Sequence, residues 1–232
     1  MRAEELAFVQ GMADTRSALD EWNRRPWPVL REWLTASVGV AIVLLFAVLV
    51  VAHNVRPDPT PLRVPGLGIR PHLSDVATIL FHNGLVLALH AMACVAGFMA
   101  GSSLPQIAGA RRGLSRLVHE QAGRFAILFV VAATGFSLCT QAYVLGSSTA
   151  TVASHMHMSP LVLILGLVPH AIPELTALFL PLAAWVLASR RGEWQNLLAA
   201  TVVTVALAVP TLVASGFVEV YVSPHIVAAL AS

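Results

Sequence analysis

Lysine is absent from this chain. All 14 basic residues are arginine, only 12 residues are acidic, and charged residues make up 11% of the sequence. A water-soluble domain carries roughly 25% charged residues, so this scarcity leaves too little charge to cover a soluble surface. The arginines are scattered and the net charge is only +2, so there is no basic footprint for nucleic acid. Cysteine is almost as scarce. Cys94 and Cys139 both lie inside apolar stretches, which excludes a disulfide framework and a cysteine-built zinc cluster and predicts two free thiols. No G-x-S-x-G, phosphate-binding glycine loop or aspartyl pair of a membrane protease is present, so serine, cysteine and aspartyl catalysis have no support. What the chain has in abundance is apolar residues, 57% of 232, and it reads as an integral membrane protein.

The pattern predicts an all-α, polytopic helical membrane protein of about five transmembrane helices. Residues 1–32 form an amphipathic cytoplasmic segment with five arginines and no apolar core near Met1, hence no cleavable signal peptide. Residues 33–53 are the first uncharged run of about 20, enough to cross a bilayer as a membrane anchor. Residues 54–74 are a proline-rich outer loop, with Pro57, Pro59, Pro61, Pro65 and Pro71 favouring a stiff extended spacer or docking surface. Residues 75–232 are the membrane core, with further spans expected at 75–101, 123–146, 159–189 and from 196 to about 218. The inner segment between spans two and three mixes Ile107, Leu114, Leu117 and Val118 with Arg111, Arg112, Arg116 and Arg124, the composition of an interfacial helix on anionic lipid or of a surface for a cytoplasmic partner such as an ATPase.

The last two apolar stretches are long and proline-broken in this reading. The fourth has Pro169 and Pro173 in its middle, and the fifth has Pro210 midway and Pro224 near its end. Irregular backbone at membrane depth is tolerated where it is packed in protein or lines a wet cavity, so these prolines point toward an internal site. GFMAG, from Gly97 to Gly101, has the spacing of a close helix contact and is the one hint of a homo-oligomer.

Only two acids, Glu174 and Glu219, fall within the long C-terminal apolar stretches. An ionisable group there is costly and is a functional-site candidate for that reason. His170 precedes Glu174 by four residues, which puts both on one helical face. That pairing can bind a metal, relay a proton or form a hydrogen bond. His90 and Asn83 share a face of span two, with His82 beside Asn83. Depth counted from the span edges places His90 level with Glu174, and it places His82 and Asn83 near Glu219, with Gln141 deeper. His225, after Pro224, is placed to turn back over this cluster. His170, Glu174 and His90 would suffice as ligands for zinc or another divalent metal, although H-E-x-x-H is absent. His155 and His157 are read as an exposed pair in a short outer loop.

The block GLVPHAIPELTALFLPLAAW, preceded by ILFHNGLVLALHA and followed by SGFVEVYVSPHI, resembles the stage II sporulation protein M family of bacterial membrane proteins. The resemblance covers about residues 70–228. The family's Pro-His-Gly-x-x-Glu-Leu block, its Asn in an earlier span and its Glu followed by Pro fall on Pro169, His170, Glu174, Leu175, Asn83, Glu219 and Pro224. Ala171 stands where the family has Gly, and QAYVLG at 141–146 stands where an Asn-Gly pair is usual. The resemblance implies a multi-pass protein of the bacterial cytoplasmic membrane acting in a cell-envelope or peptide maturation or export complex, with envelope enzymes among its expected partners. Two other functions are open to the same residues: an intramembrane metal-dependent hydrolase or peptide cyclase using Glu174 and His170, and a proton-linked transporter.

Eleven arginines fall in alternate segments on one side of the expected spans and three on the other, which predicts a cytoplasmic N-terminus and an external C-terminus. Reporter fusions at Gly192 and Ser232 should therefore report opposite sides. The same side for both would mean that span five does not cross or that span four re-enters.

Overall fold

The computed structural model describes residues 3–60, 64–67, 69–103 and 114–231. Among these, the regular structure is helical with no strand, apart from one isolated bridge between Pro65 and Ile69 in the irregular segment before Leu73. The helices are α1 (Ala3–Arg24), α2 (Pro26–Asn54), α3 (Leu73–Phe98), α4 (Leu114–His155), α5 (Pro160–Arg191), α6 (Leu197–Tyr221) and α7 (Ser223–Ala231). A π-helical turn, Met99–Ser103, extends α3, and a single 3-10 turn, Trp194–Asn196, leads into α6. Five segments are long and apolar enough to cross a membrane: Pro26–Asn54, Leu73–Ser102, Ile127–His155, Pro160–Arg191 and Trp194–Ala231. The protein is thus a polytopic helical membrane protein. Phe129 and Phe136, 70% and 76% exposed, suit a surface facing hydrocarbon rather than water.

Local chemistry explains where these helices start and stop. At α3, the Asp75 carboxylate accepts from the His72 backbone N–H at 2.7 Å, a reciprocal cap on the first turn. Ser159 Oγ accepts from the Val162 N–H at the start of α5, and Pro160 occupies the first helical position, where its missing N–H costs nothing. That helix ends at Gly192, with φ +72°, where Glu193 N–H bonds to Ala188 O and Gly192 N–H to Ser189 O. This is the paired C-terminal motif that left-handed glycine permits.

Three differences from the sequence expectation have physical causes. The fourth apolar stretch is one continuous helix through Pro169 and Pro173, because a proline removes one ladder bond without requiring the chain to leave the helix when its neighbours hold it. In the fifth, α6 likewise passes Pro210, and the interruption falls later, at Val222, where Pro224 opens the first turn of α7. The third span continues to His155 instead of ending near residue 146, since the hydroxyls of its Ser/Thr-rich end bond within the helix, as Thr151 Oγ1 does to Ser147 O at 3.0 Å. The loop before α5 is accordingly short. At 42 residues, α4 is about 63 Å long, twice the hydrocarbon thickness, so part of it must project beyond the membrane. Of the expected amphipathic inner segment, residues 104–113, with Ile107, Arg111 and Arg112, lie outside the described residues, and the backbone from Leu114 onward belongs to α4.

The chain divides into two compact units. One comprises Met1–Ser37, Leu87–Gly135 and Phe179–Leu207, the other Val38–Val86, Phe136–Leu178 and Ala208–Ser232. In the first unit, Trp33 packs with Leu180, Ala184 and Ala200, and the Trp22 ring meets Trp33 edge-on at 5.1 Å. An exposed ion pair, Glu32 to Arg191 at 2.8 Å, adds at most about 1 kcal/mol. Gly97 and Gly101 lie against Trp185, Leu197 and Trp194 of the same chain, so the small-residue pair serves an intramolecular contact. Cys94 is buried with its thiol donating to Pro181 O at 3.2 Å, Cys139 is exposed, and both are free.

In the second unit, Leu163, Ala153 and Val227 form a core with Leu67, Val152 and Leu167 around them. The proline-rich segment does more than space the helices. Asp58 N–H donates to Thr151 Oγ1, and Gly66, at φ +82°, lies against the Pro224 ring. A side chain at Gly66 would both strain the backbone and strike that ring. Thr60 N–H donates to the Asp58 carboxylate, holding it below the ordinary carboxylate range.

A Cβ on Gly97 would sit 2.7 Å from Trp185 Nε1 and 2.8 Å from Leu197 Cδ1, whereas one on Gly84 would meet nothing within 4 Å. Gly97→Leu is expected to cost about 1–3 kcal/mol and to lower the melting temperature in detergent, while Gly84→Ala should leave it unchanged or slightly raised. Equal melting of Gly97→Leu and the unmodified protein would contradict this packing.

Candidate functional site

The polar residues of the second unit converge where α6 gives way to α7. Glu219 lies in the last turn of α6 and Ser223, four residues on, opens α7, so both side chains face the same region. The backbone at this point stays bonded: Val222 N–H reaches Val218 O, and Val222 O accepts from His225 and Ile226 N–H. Opposite, one turn of α5 carries His170 and Glu174 on a single face, as the four-residue spacing requires. The third contributor is Asn83 on α3.

The contacts are specific. Asn83 Nδ2 donates to Glu174 Oε1 at 3.0 Å. Glu174 Oε2 is buried and has no hydrogen-bond partner among the described residues. His170 is buried, and its Nδ1 lies 2.6 Å from Ser223 Oγ. One imidazole nitrogen of His170, one carboxylate oxygen of Glu174 and one of Glu219 all lie within 4.8 Å of one another. These groups line a cavity of about 290 Å³ whose other walls are mostly apolar, among them Leu45, Val48, Leu163 and Leu167. Its size is at the lower end for small-ligand pockets, which combine apolar walls with a few converging polar groups in this way. Val64, Pro65 and Leu67 of the proline-rich segment also border it.

The structure brings together His170, Glu174, Glu219 and Asn83 and leaves four expected members apart. His90 is fully buried in the first unit with its ring 5.4 Å from Phe179, and it is no part of the cluster. It lies two turns, about 10 Å, beyond Asn83 along α3, and Asn83 is the residue that meets Glu174. His82 is exposed, its Nδ1 2.8 Å from Thr78 O of its own helix. His225 is exposed too, because the first turn of α7 aims Ser223 rather than His225 at the cluster. Gln141 donates to Ser137 on its own helix. Ser223 was missed by the sequence reading. A hydroxyl directly before Pro224, at a helix start, is the signal that pointed to it.

Residues 124–224 match the family model described as Stage II sporulation protein M. The matched region is a little under half of the chain and contains His170, Glu174, Glu219 and Ser223, but not Asn83. Over that region the chain is similar to the stage II sporulation protein M family. Neither the curated proteins nor the solved structures contain a match to it.

Asn83 supplies the hydrogen bond that Glu174 receives, and removing one partner of a buried polar pair costs about 1–3 kcal/mol. Asn83→Leu should therefore melt several degrees lower than the unmodified protein in detergent. Asn83→Asp, the same shape without the donor when ionised, should be no better. A melting temperature unchanged in both variants would show that the bond contributes nothing.

Proposed function

We propose that this stage II sporulation protein M-family chain is the membrane-embedded component of a complex that handles a peptide or an envelope precursor in the bacterial cytoplasmic membrane, and that the pocket of His170, Glu174, Glu219 and Asn83 is its working site. The observation that carries the reading is the convergence of two acids and a histidine, from two different helices, on one apolar cavity. Burying such groups in a membrane protein is costly, and a purely structural contact between these helices could be made at lower cost by small or apolar side chains. The apolar walls suit the aliphatic part of a peptide or lipid-like ligand, and the polar cluster would hold its amide or ester group. The arginine distribution supports a cytoplasmic N-terminus, and the arginine-rich segment between spans two and three would then face a cytoplasmic partner such as an ATPase.

A second reading draws on the proximity of Glu174 and Glu219. Two carboxyl groups this close in an apolar pocket cannot both carry an uncompensated charge, so one bound proton is the simplest resolution. Uptake and release of that proton would suit a proton-linked transporter. Proton-driven flux in proteoliposomes separates this reading from the first.

The test is complementation in the native host after deletion of the chromosomal copy. Glu174→Gln and Glu219→Gln keep shape and most hydrogen-bonding capacity, so both variants should reach normal membrane levels. Each should nevertheless lose at least about tenfold of the function, the scale of one transition-state or binding interaction of roughly 1.4 kcal/mol. Full complementation by both would reduce the pocket to a packing feature.

A further inference from the structure

We infer that His170, Glu174 and Glu219 form a binding site for one divalent transition-metal ion of the zinc type, with Ser223 and Asn83 as the residues that orient the ligands. This rests on the reading of the same pocket as the working site and specifies its cofactor.

Donor geometry carries the inference. Zinc binds imidazole nitrogen and carboxylate oxygen at about 2.0–2.2 Å, which places two ligand atoms of a tetrahedral ion about 3.4 Å apart. The three donor atoms here lie within 4.8 Å of one another, so small torsional adjustments of the two glutamates bring all three onto one ion. Charge also matches, since two carboxylates and a neutral imidazole balance a divalent cation in an apolar cavity. Three protein ligands leave a fourth position, and the cavity of about 290 Å³ that these residues line has room for a water or a substrate carbonyl there.

The surrounding hydrogen bonds are an independent sign. Metal-binding histidines use their second nitrogen to bond a neighbouring oxygen, which sets the tautomer and ring orientation. Ser223 Oγ, 2.6 Å from His170 Nδ1, occupies that role and leaves Nε2 as the ligand atom. Asn83 does the equivalent for Glu174: it holds Oε1 and leaves Oε2 buried without a partner. One nitrogen and two oxygens form a borderline-hard donor set that suits zinc and its first-row neighbours, and it is too small and too nitrogen-containing for calcium.

The experiment uses the full-length protein in detergent, purified with a tag free of histidine and stripped by chelator. It is titrated with Co²⁺, whose visible absorption reports coordination by nitrogen and oxygen, followed by displacement with Zn²⁺. The unmodified protein should bind about one equivalent. Glu174→Gln and Glu219→Gln should each lose the Co²⁺ spectrum while remaining folded by circular dichroism. Ser223→Ala should keep the spectrum and weaken affinity by about 10- to 100-fold, a change that a purely structural hydroxyl would not cause. His82→Ala and His225→Ala, altered at exposed histidines, should bind as the unmodified protein does. No binding by the unmodified protein, or an undiminished spectrum in both glutamate variants, overturns the inference. If no metal binds while Glu174→Gln still abolishes complementation, the metal site is refuted and the working-site reading survives. If metal binds and is lost in the variants but complementation is intact, the metal site stands and the working-site reading falls.

Discussion

In hydrocarbon there is no water to satisfy a backbone N–H or C=O, so each group must be bonded within its own helix or to protein packed against it. The whole architecture follows from that constraint. It makes every described span helical, and it lets prolines persist only where the loss of one bond is tolerated, as at Pro169 and Pro173 in α5. At the one interruption within the last apolar segment, the constraint is met by forked bonding, with Val222 O accepting from two successive N–H groups. An irregularity bonded in this way can turn the chain by one residue without exposing polar backbone to lipid.

The pocket is assembled beside that irregularity. A helix running from α6 into α7 sends residue 223 about 40° beyond residue 219 on the same face, one turn further on. That spacing directs the Ser223 hydroxyl to His170 while Glu219 lies within reach of Glu174. On α5 the same four-residue spacing aligns His170 and Glu174. One regular and one interrupted element thus combine, and the proline-rich segment closes over the interruption, with Gly66 against Pro224.

The same frame explains why the acids occur where they do. Ten of the twelve acids keep to the tails, the loops and the span ends, where water or headgroups solvate them. Glu174 and Glu219 are partly buried instead and lie close together, one of them with an amide donor at 3.0 Å. Functional readings of the pocket all start from this juxtaposition. A peptide-handling site, a proton carrier and a metal centre differ in what balances two close carboxylates, and each makes a different demand on Ser223 and Asn83.

Composition and periodicity alone determined that the chain is helical and membrane-spanning, how many spans it has, and which two acids lie within the long C-terminal apolar stretches. Those properties depend on one-dimensional quantities: the length of an apolar run, the cost of a buried charge and the turn of a single helix. For the same reason the placement of His170 and Glu174 on one face was legible, being local to one helix. Only the tertiary structure decided which helix supplies the third and fourth groups. It selected Asn83 over His90, Glu219 as the second carboxylate beside Glu174, and Ser223 over His225. The reason is axial registry. A relative shift of two turns, about 10 Å, leaves the apolar pattern of each helix unchanged yet replaces every side chain that meets across the contact. Packing of particular residues sets that shift, as Gly146 against Val51 and Gly216 near Val76 and Leu80 illustrate, and no property of a single helix encodes it.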